Sequence, residues 1–183
     1  MKLVERSEVV DYQTYEDTRE SFRAEVIKAK SFRRIHVGEY LTLLFENHLT
    51  VLYQIQEMMR AEKIVKEANI LHEINTYNEL LGLKGELGAT MLIEIADPAI
   101  RQEKLKAWWE LPEKVYLLLE DQTRVYAKFD ERQRGDNKLS SVQFLKFFTN
   151  GQVPIAAGVD IAGYKAESPL TEQQREALKT DLE

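Results

Sequence analysis

Four polar residues interrupt an otherwise apolar helical pattern. Glu46, Thr50, Gln54 and Glu57 are spaced along the stretch FENHLTVLYQIQEMMRAEKIVK, from Phe45 to Lys66. Apolar side chains cover more than half of that pattern's circumference, so the helix is expected to be largely buried. A buried carboxylate or amide has to be hydrogen-bonded or paired. Two kinds of chemistry satisfy that need. In the first, Glu57 is a general base or a metal ligand, Gln54 orients the bound group, and Arg19 clamps an anion. Glu94, Glu46 or Arg60 would complete such a pocket, and Glu46 and Glu57 would be the carboxylates offered to a metal. In the second, Glu57, Gln54 and Arg19 are an ion-pair and amide network that locks two helices together, because structural networks imitate sites.

The elements that must position these groups follow from periodicity. Residues 1–13 read as an extended lead-in. Thr14 and Asp17 are the expected capping pair of a helix over about 15–30. Its apolar stripe is Tyr15, Phe22, Val26 and Ala29, and Arg19 falls inside that stripe at ~100° per residue. Arg33 to Phe45 alternates loosely and predicts one strand. Asn47 is the expected N-cap of a helix over 47–66, with Glu46 where the dipole favours negative charge. A further helix is expected over 68–81, apolar along Ile70, Ile74, Tyr77 and Leu81, with Asn78 bordering the core. Gly82 and Gly85 end it. Leu87 to Ile95 is a second strand, placing Glu94 on the face opposite Met91 and Ile93. Asp97-Pro98 opens a helix that ends near Trp109. Lys114–Glu120 and Arg124–Phe129 form a hairpin around Asp121-Gln122. Asp130–Lys138 is a charged loop, and Ser141–Phe148 is a strand whose Phe144, Phe147 and Phe148 are expected in the core. Residues 150–167 give no clear pattern, and Ser168-Pro169 opens a last helix over about 170–182. The class is α+β, a mostly antiparallel sheet of about five strands with helices packed on it, in a single domain over 1–183.

Other chemistries are poorly represented. The histidines are His36, His48 and His72, and none lies in the Glu-x-x-His spacing of a di-iron bundle. There is no G-x-S-x-G and no glycine-rich phosphate loop; Lys84-Gly85-Glu86-Leu87-Gly88 is a turn entering a strand. Arg134-Gly135-Asp136 copies an adhesion tripeptide by chance. The chain has no cysteine, which removes disulfides, thiol nucleophiles and cysteine-held iron–sulfur clusters. A net charge of −6 over 183 residues argues against nucleic acid as a partner. No stretch approaches the ~18 apolar residues of a membrane span. The start, MKLVERSEVVDY, lacks the apolar run of a signal peptide, so a cytoplasmic protein with no membrane association is expected.

Taken together, Tyr15-Glu16, Arg19 and Phe22-Arg23, then Lys30 with Arg33-Arg34, LTLLFENHLTVLYQIQEMMRAEK, Tyr77-Asn78 and GELGATMLIEI resemble the bacterial family called domain of unknown function 3501. The likeness covers nearly the whole chain and is densest over 15–95. The resemblance implies a cytoplasmic bacterial protein without an assigned activity. It further implies a setting beside rubrerythrin-like proteins and iron–sulfur oxidoreductases, and so a partner protein in redox or peroxide defence. The alternative is a small enzyme or a metal- or ligand-binding protein with a buried Glu/Gln/Arg site. Self-association is open on either reading, and no cofactor is specified.

Overall fold

The computed structural model describes residues 1–183. Helix α1 spans Tyr12–Ser31. Its cap is Asp11, whose carboxylate accepts from Gln13 N and Thr14 N, both at 3.0 Å. The expected Thr14–Asp17 pair therefore starts the helix too late, because an earlier acceptor already serves its free amides.

The stretch expected as one strand is a hairpin, β1 (Arg34–Val37) and β2 (Leu41–Phe45). Gly38, at φ +64°, makes the turn. The Tyr164 hydroxyl donates to Val37 O at 2.6 Å and accepts from Tyr40 N at 3.0 Å, which fastens it. Register explains why the alternation looked continuous: Ile35 opposes Leu43 and Val37 opposes Leu41, so both arms keep their apolar residues on one face. Asn47 caps α2 (His48–Glu62) as expected, with its side chain accepting from Thr50 N. Helix α3 (Glu67–Asn78) and β3 (Glu86–Ile93) follow. Asp97 and Pro98 open α4 (Pro98–Ala107), and a short α5 (Leu111–Lys114) leads into β4 (Val115–Leu118).

β4 pairs with β5 (Arg124–Tyr126) in the expected hairpin. The chain then changes sheets. Ala127 N still donates to Val115 O, but β6 (Lys128–Phe129) pairs instead with β7 (Val142–Phe148). The region without clear pattern holds another hairpin, β8 (Ala156–Ile161) and β9 (Tyr164–Pro169), turning at Gly163 with φ +77°. Helix α6 (Glu172–Leu182) is capped by Thr171, one turn later than the Ser168-Pro169 start expected.

The fold class is α+β, as expected. One antiparallel sheet has five strands in the order β1-β2-β3-β7-β6, and beside it stands a second of four, β5-β4-β8-β9. One face of the first sheet, with Val37, Leu43, Phe45, Leu87, Met91 and Phe147, packs against Val115, Leu117, Ala157 and Val159 of the second. Trp108, Leu178 and Leu182 close that core from α6 and the end of α4. A smaller core of Val51, Ile55, Met59, Ile70 and Ile74 lies between α2 and α3. Val4 and Val9 of the N-terminal segment fill it. The opposite face of the first sheet carries Leu44, Thr90, Leu92, Val142, Phe144, Lys146 and Phe148, by the register of β2, β3 and β7. The chain leaving α3 crosses it closely at Gly88, where a Cβ would lie 1.9 Å from Leu80 O.

Candidate functional site

The α1 stripe and the α2 flank meet where the sequence placed its candidate chemistry. Arg19 Nε donates to Glu57 Oε1 at 2.7 Å, and its second nitrogen donates to Oε2 at 3.0 Å. The Tyr15 hydroxyl adds a third bond to Oε1 at 2.7 Å. These donors hold the Glu57 carboxyl below the usual carboxylate range, the Arg19 bond being the main cause. Burial, reinforced by the bond to Glu57, pushes the Tyr15 hydroxyl up. The Glu57 side chain is only 22% exposed. Its three bonds close the geometry: Glu57 faces Arg19 and Tyr15, not an open pocket. Beside it, Arg60 pairs with Glu16.

Gln54 makes no hydrogen bond to this group. The buried amide is its neighbour Gln56, 2% exposed. Gln56 accepts from Val10 N at 2.8 Å and donates to Val10 O at 3.2 Å. Asn78 treats Val4 the same way, at 2.9 and 3.0 Å. Two side-chain amides thus hold the extended N-terminal segment as a neighbouring strand would. His48 adds contacts to Lys2 O and to the Glu8 carboxylate.

The other carboxylates stand elsewhere. Glu46 is buried and accepts from the Thr50 and Thr90 hydroxyls, each at 2.6 Å, tying the start of α2 to β3. Glu94 is exposed just beyond β3 and accepts from Thr42, whose hydroxyl also meets His36 Nδ1 at 2.8 Å. Glu46, Glu57 and Glu94 share no hydrogen-bond partner, and no three His, Asp or Glu side chains converge as a metal-ligating group. Arg134, from the adhesion-like tripeptide, is folded against the Trp109 and Phe129 rings and paired with Glu113 and Glu131.

One hollow was not anticipated. It lies between the end of α3 (Thr76, Tyr77, Glu79, Leu80) and β6–β7, with a volume of about 650 Å³. The side-chain amide of Gln133 extends the ladder past β6, donating to Phe144 O at 3.0 Å and accepting from Phe144 N at 2.7 Å. Phe144 and Phe148, expected in the core, point to the other face and are 40% and 52% exposed; only Phe147 is buried. Strand alternation carried the signal: Phe144 and Phe148 share parity with Lys146, and Phe147 does not.

The family model for a protein of unknown function (DUF3501) matches residues 3–182. A crystal structure of a novel protein of unknown function from Burkholderia pseudomallei K96243, at 1.90 Å resolution, shares this fold with a TM-score of 0.90. The two are 29% identical, and the alignment covers 100% of each chain. No curated protein matches the chain. No helix is long and apolar enough to cross a membrane.

Proposed function

Because this chain belongs to the DUF3501 family of proteins of unknown function, we propose its role from its own surface: a non-catalytic accessory protein that docks a partner in a redox or peroxide-defence system. The observation that carries this reading is the open face of β7. Val142, Phe144 and Phe148 stand there at 42%, 40% and 52% exposure, in one row along the strand. Exposed aromatic rows of this kind mark interaction surfaces. Lys128 and Lys146 lie among them, so the surface favours a partner with an apolar centre and an acidic rim. The closed Arg19–Glu57 pair supports architecture over catalysis at the place where catalysis was most expected. A chain without cysteine suits a partner of a cofactor-bearing protein better than an electron carrier. The redox setting, and a cytoplasmic single-domain protein of bacterial origin, are what the family resemblance implies.

The test is affinity capture with the full chain in its host, run beside Phe148→Asp. A rubrerythrin-like or iron–sulfur protein held by the parent chain and lost with the variant is the expected result. Capture without any such protein, or capture indifferent to Phe148→Asp, overturns the reading. The competing proposal keeps a ligand or metal site around Glu57, with Gln54 and Arg19 and with Glu46 or Glu94 as further ligands. The observation that favours it is a hollow of about 570 Å³ at the adjoining Arg60–Glu16 pair, lined also by Tyr12 and Asp17, one helical turn along from Glu57 and Arg19. Elemental analysis showing no metal, with a thermal midpoint of the parent chain that added divalent metal leaves unchanged, removes its metal form.

A further inference from the structure

The cleft between α3 and β6–β7 carries three features that packing alone leaves unexplained. Lys128 and Lys146 are direct cross-strand partners on the open face of the sheet. Like charges in that register destabilise a sheet unless something neutralises them. Lys128 forms no ion pair, and its ammonium lies 5.8 Å from the centre of the Phe148 ring. Lys146 reaches a carboxylate only at 3.9 Å, that of Glu86. Phe144, two residues before Lys146, and Tyr77 of α3 both line the hollow. Finally, the hollow has the size of a small-molecule site. Two acidic groups also line it. Asp130 is taken up by Arg132, its carboxylate accepting from Arg132 Nε at 2.8 Å, and Glu79 stands at the exposed rim.

We propose that this cleft binds a small molecule with a flat apolar body and one anionic group, a carboxylate or a phosphate. The body lies between Tyr77 and Phe144. The anion bridges the ammonium groups of Lys128 and Lys146, which removes the repulsion built into their register. Aromatic walls with one charged end give orientation as well as affinity. This goes beyond partner docking and needs no protein partner.

The test uses two dyes of nearly the same shape: 8-anilinonaphthalene-1-sulfonate, which is anionic, and the uncharged N-phenyl-1-naphthylamine. Fluorescence titration of the full chain is expected to show one anionic dye per chain, bound about tenfold more tightly than the neutral one. The double variant Lys128→Gln with Lys146→Gln should erase that preference while keeping the neutral dye. Phe144→Ser should weaken both dyes. Val142→Ser, on the same face but outside the cleft, should weaken neither. Equal binding of the two dyes by the parent chain overturns the proposal, as does a preference that survives the double lysine variant. A loss in Val142→Ser matching that in Phe144→Ser also overturns it, because the dye would then be reading the open face. None of these outcomes depends on capturing a protein, so a failure here is separable from a failure of the docking proposal.

Discussion

Arg19 and Glu57 face each other across the α1–α2 seam in a two-bond fork, at 2.7 and 3.0 Å, and Tyr15 completes the carboxylate. Two planar charged groups matched in this way give direction as well as attraction. The pair fixes how α1 lies on α2. It is partly exposed, so solvent screens it, and its contribution is smaller than that of a fully buried pair.

Glu57→Gln should lower stability by roughly 1–3 kcal/mol, since one fork bond becomes neutral and Arg19 loses its counter-charge. The pH dependence has a definite sign. The folded carboxyl is held below its ordinary value of 4.5. The unfolded chain therefore binds more protons in the window below that value, and stability falls as pH falls through it. Urea midpoints from pH 7 down to 3 should drop less steeply in Glu57→Gln than in the parent. Parallel acid limbs would show that the pair contributes nothing to folding.

Arg19 was legible as a charged residue inside an apolar stripe, and Glu57 as the nearest carboxylate on the facing helix. Both depend only on helical period, which sequence carries directly. Glu46 was legible as a polar residue at a helix start, but its bonds to Thr50 and Thr90 needed the β3 register. Gln56 was not singled out beside Gln54 because its partner is the N-terminal segment, which read only as an extended lead-in. Its two valines and two backbone anchors have no period to betray them. The β8–β9 hairpin escaped for a related reason. Tyr164–Pro169 alternates exposed and half-buried residues of mixed polarity, so no apolar alternation marks it. The cleft is formed by α3 and β7, far apart in sequence, and only the assembled sheet brings Lys128 opposite Lys146.

Gly88→Ala should be among the most damaging single-methyl additions in the chain. The new Cβ would lie 1.9 Å from Leu80 O, a backbone atom that cannot swing aside. The expected result is loss of soluble protein or a fall in stability of at least about 3 kcal/mol. Gly163→Ala is the matched control. Its φ is +77° and nothing lies within 4 Å of the added carbon. It should cost only about 1 kcal/mol of backbone strain. Comparable thermal midpoints for the two variants would remove the close approach of Leu80 to β3.

Gln56→Leu keeps the side-chain volume and removes both bonds to Val10. Its effect should be local before it is global. The Val10 amide should lose hydrogen-exchange protection and the N-terminal segment should become cleavable by protease. The midpoint should fall by an amount matching about 1–3 kcal/mol for unpaired backbone groups. Asn78→Leu should do the same at Val4. Unchanged exchange at Val10 in Gln56→Leu would mean that Val4 and Val9 alone hold the segment in the α2–α3 core.

Arg33 and Asp181 join the start of β1 to the last turn of α6. Arg33 Nε donates at 2.7 Å and its second nitrogen at 2.9 Å, with side chains only 9% and 4% exposed. A pair this buried is weak support for net stability, because desolvation offsets the attraction. Removing one partner is another matter, since the guanidinium would be left in the interior with no counter-charge. Asp181→Ala should therefore cost about 3–5 kcal/mol, whereas Arg33→Met combined with Asp181→Leu should cost far less, since no buried charge remains. Chemical denaturation of the two single variants and the double variant forms a cycle that isolates the coupling. A double variant as unstable as Asp181→Ala would mean that the pair positions α6 by shape, and that its charge is incidental.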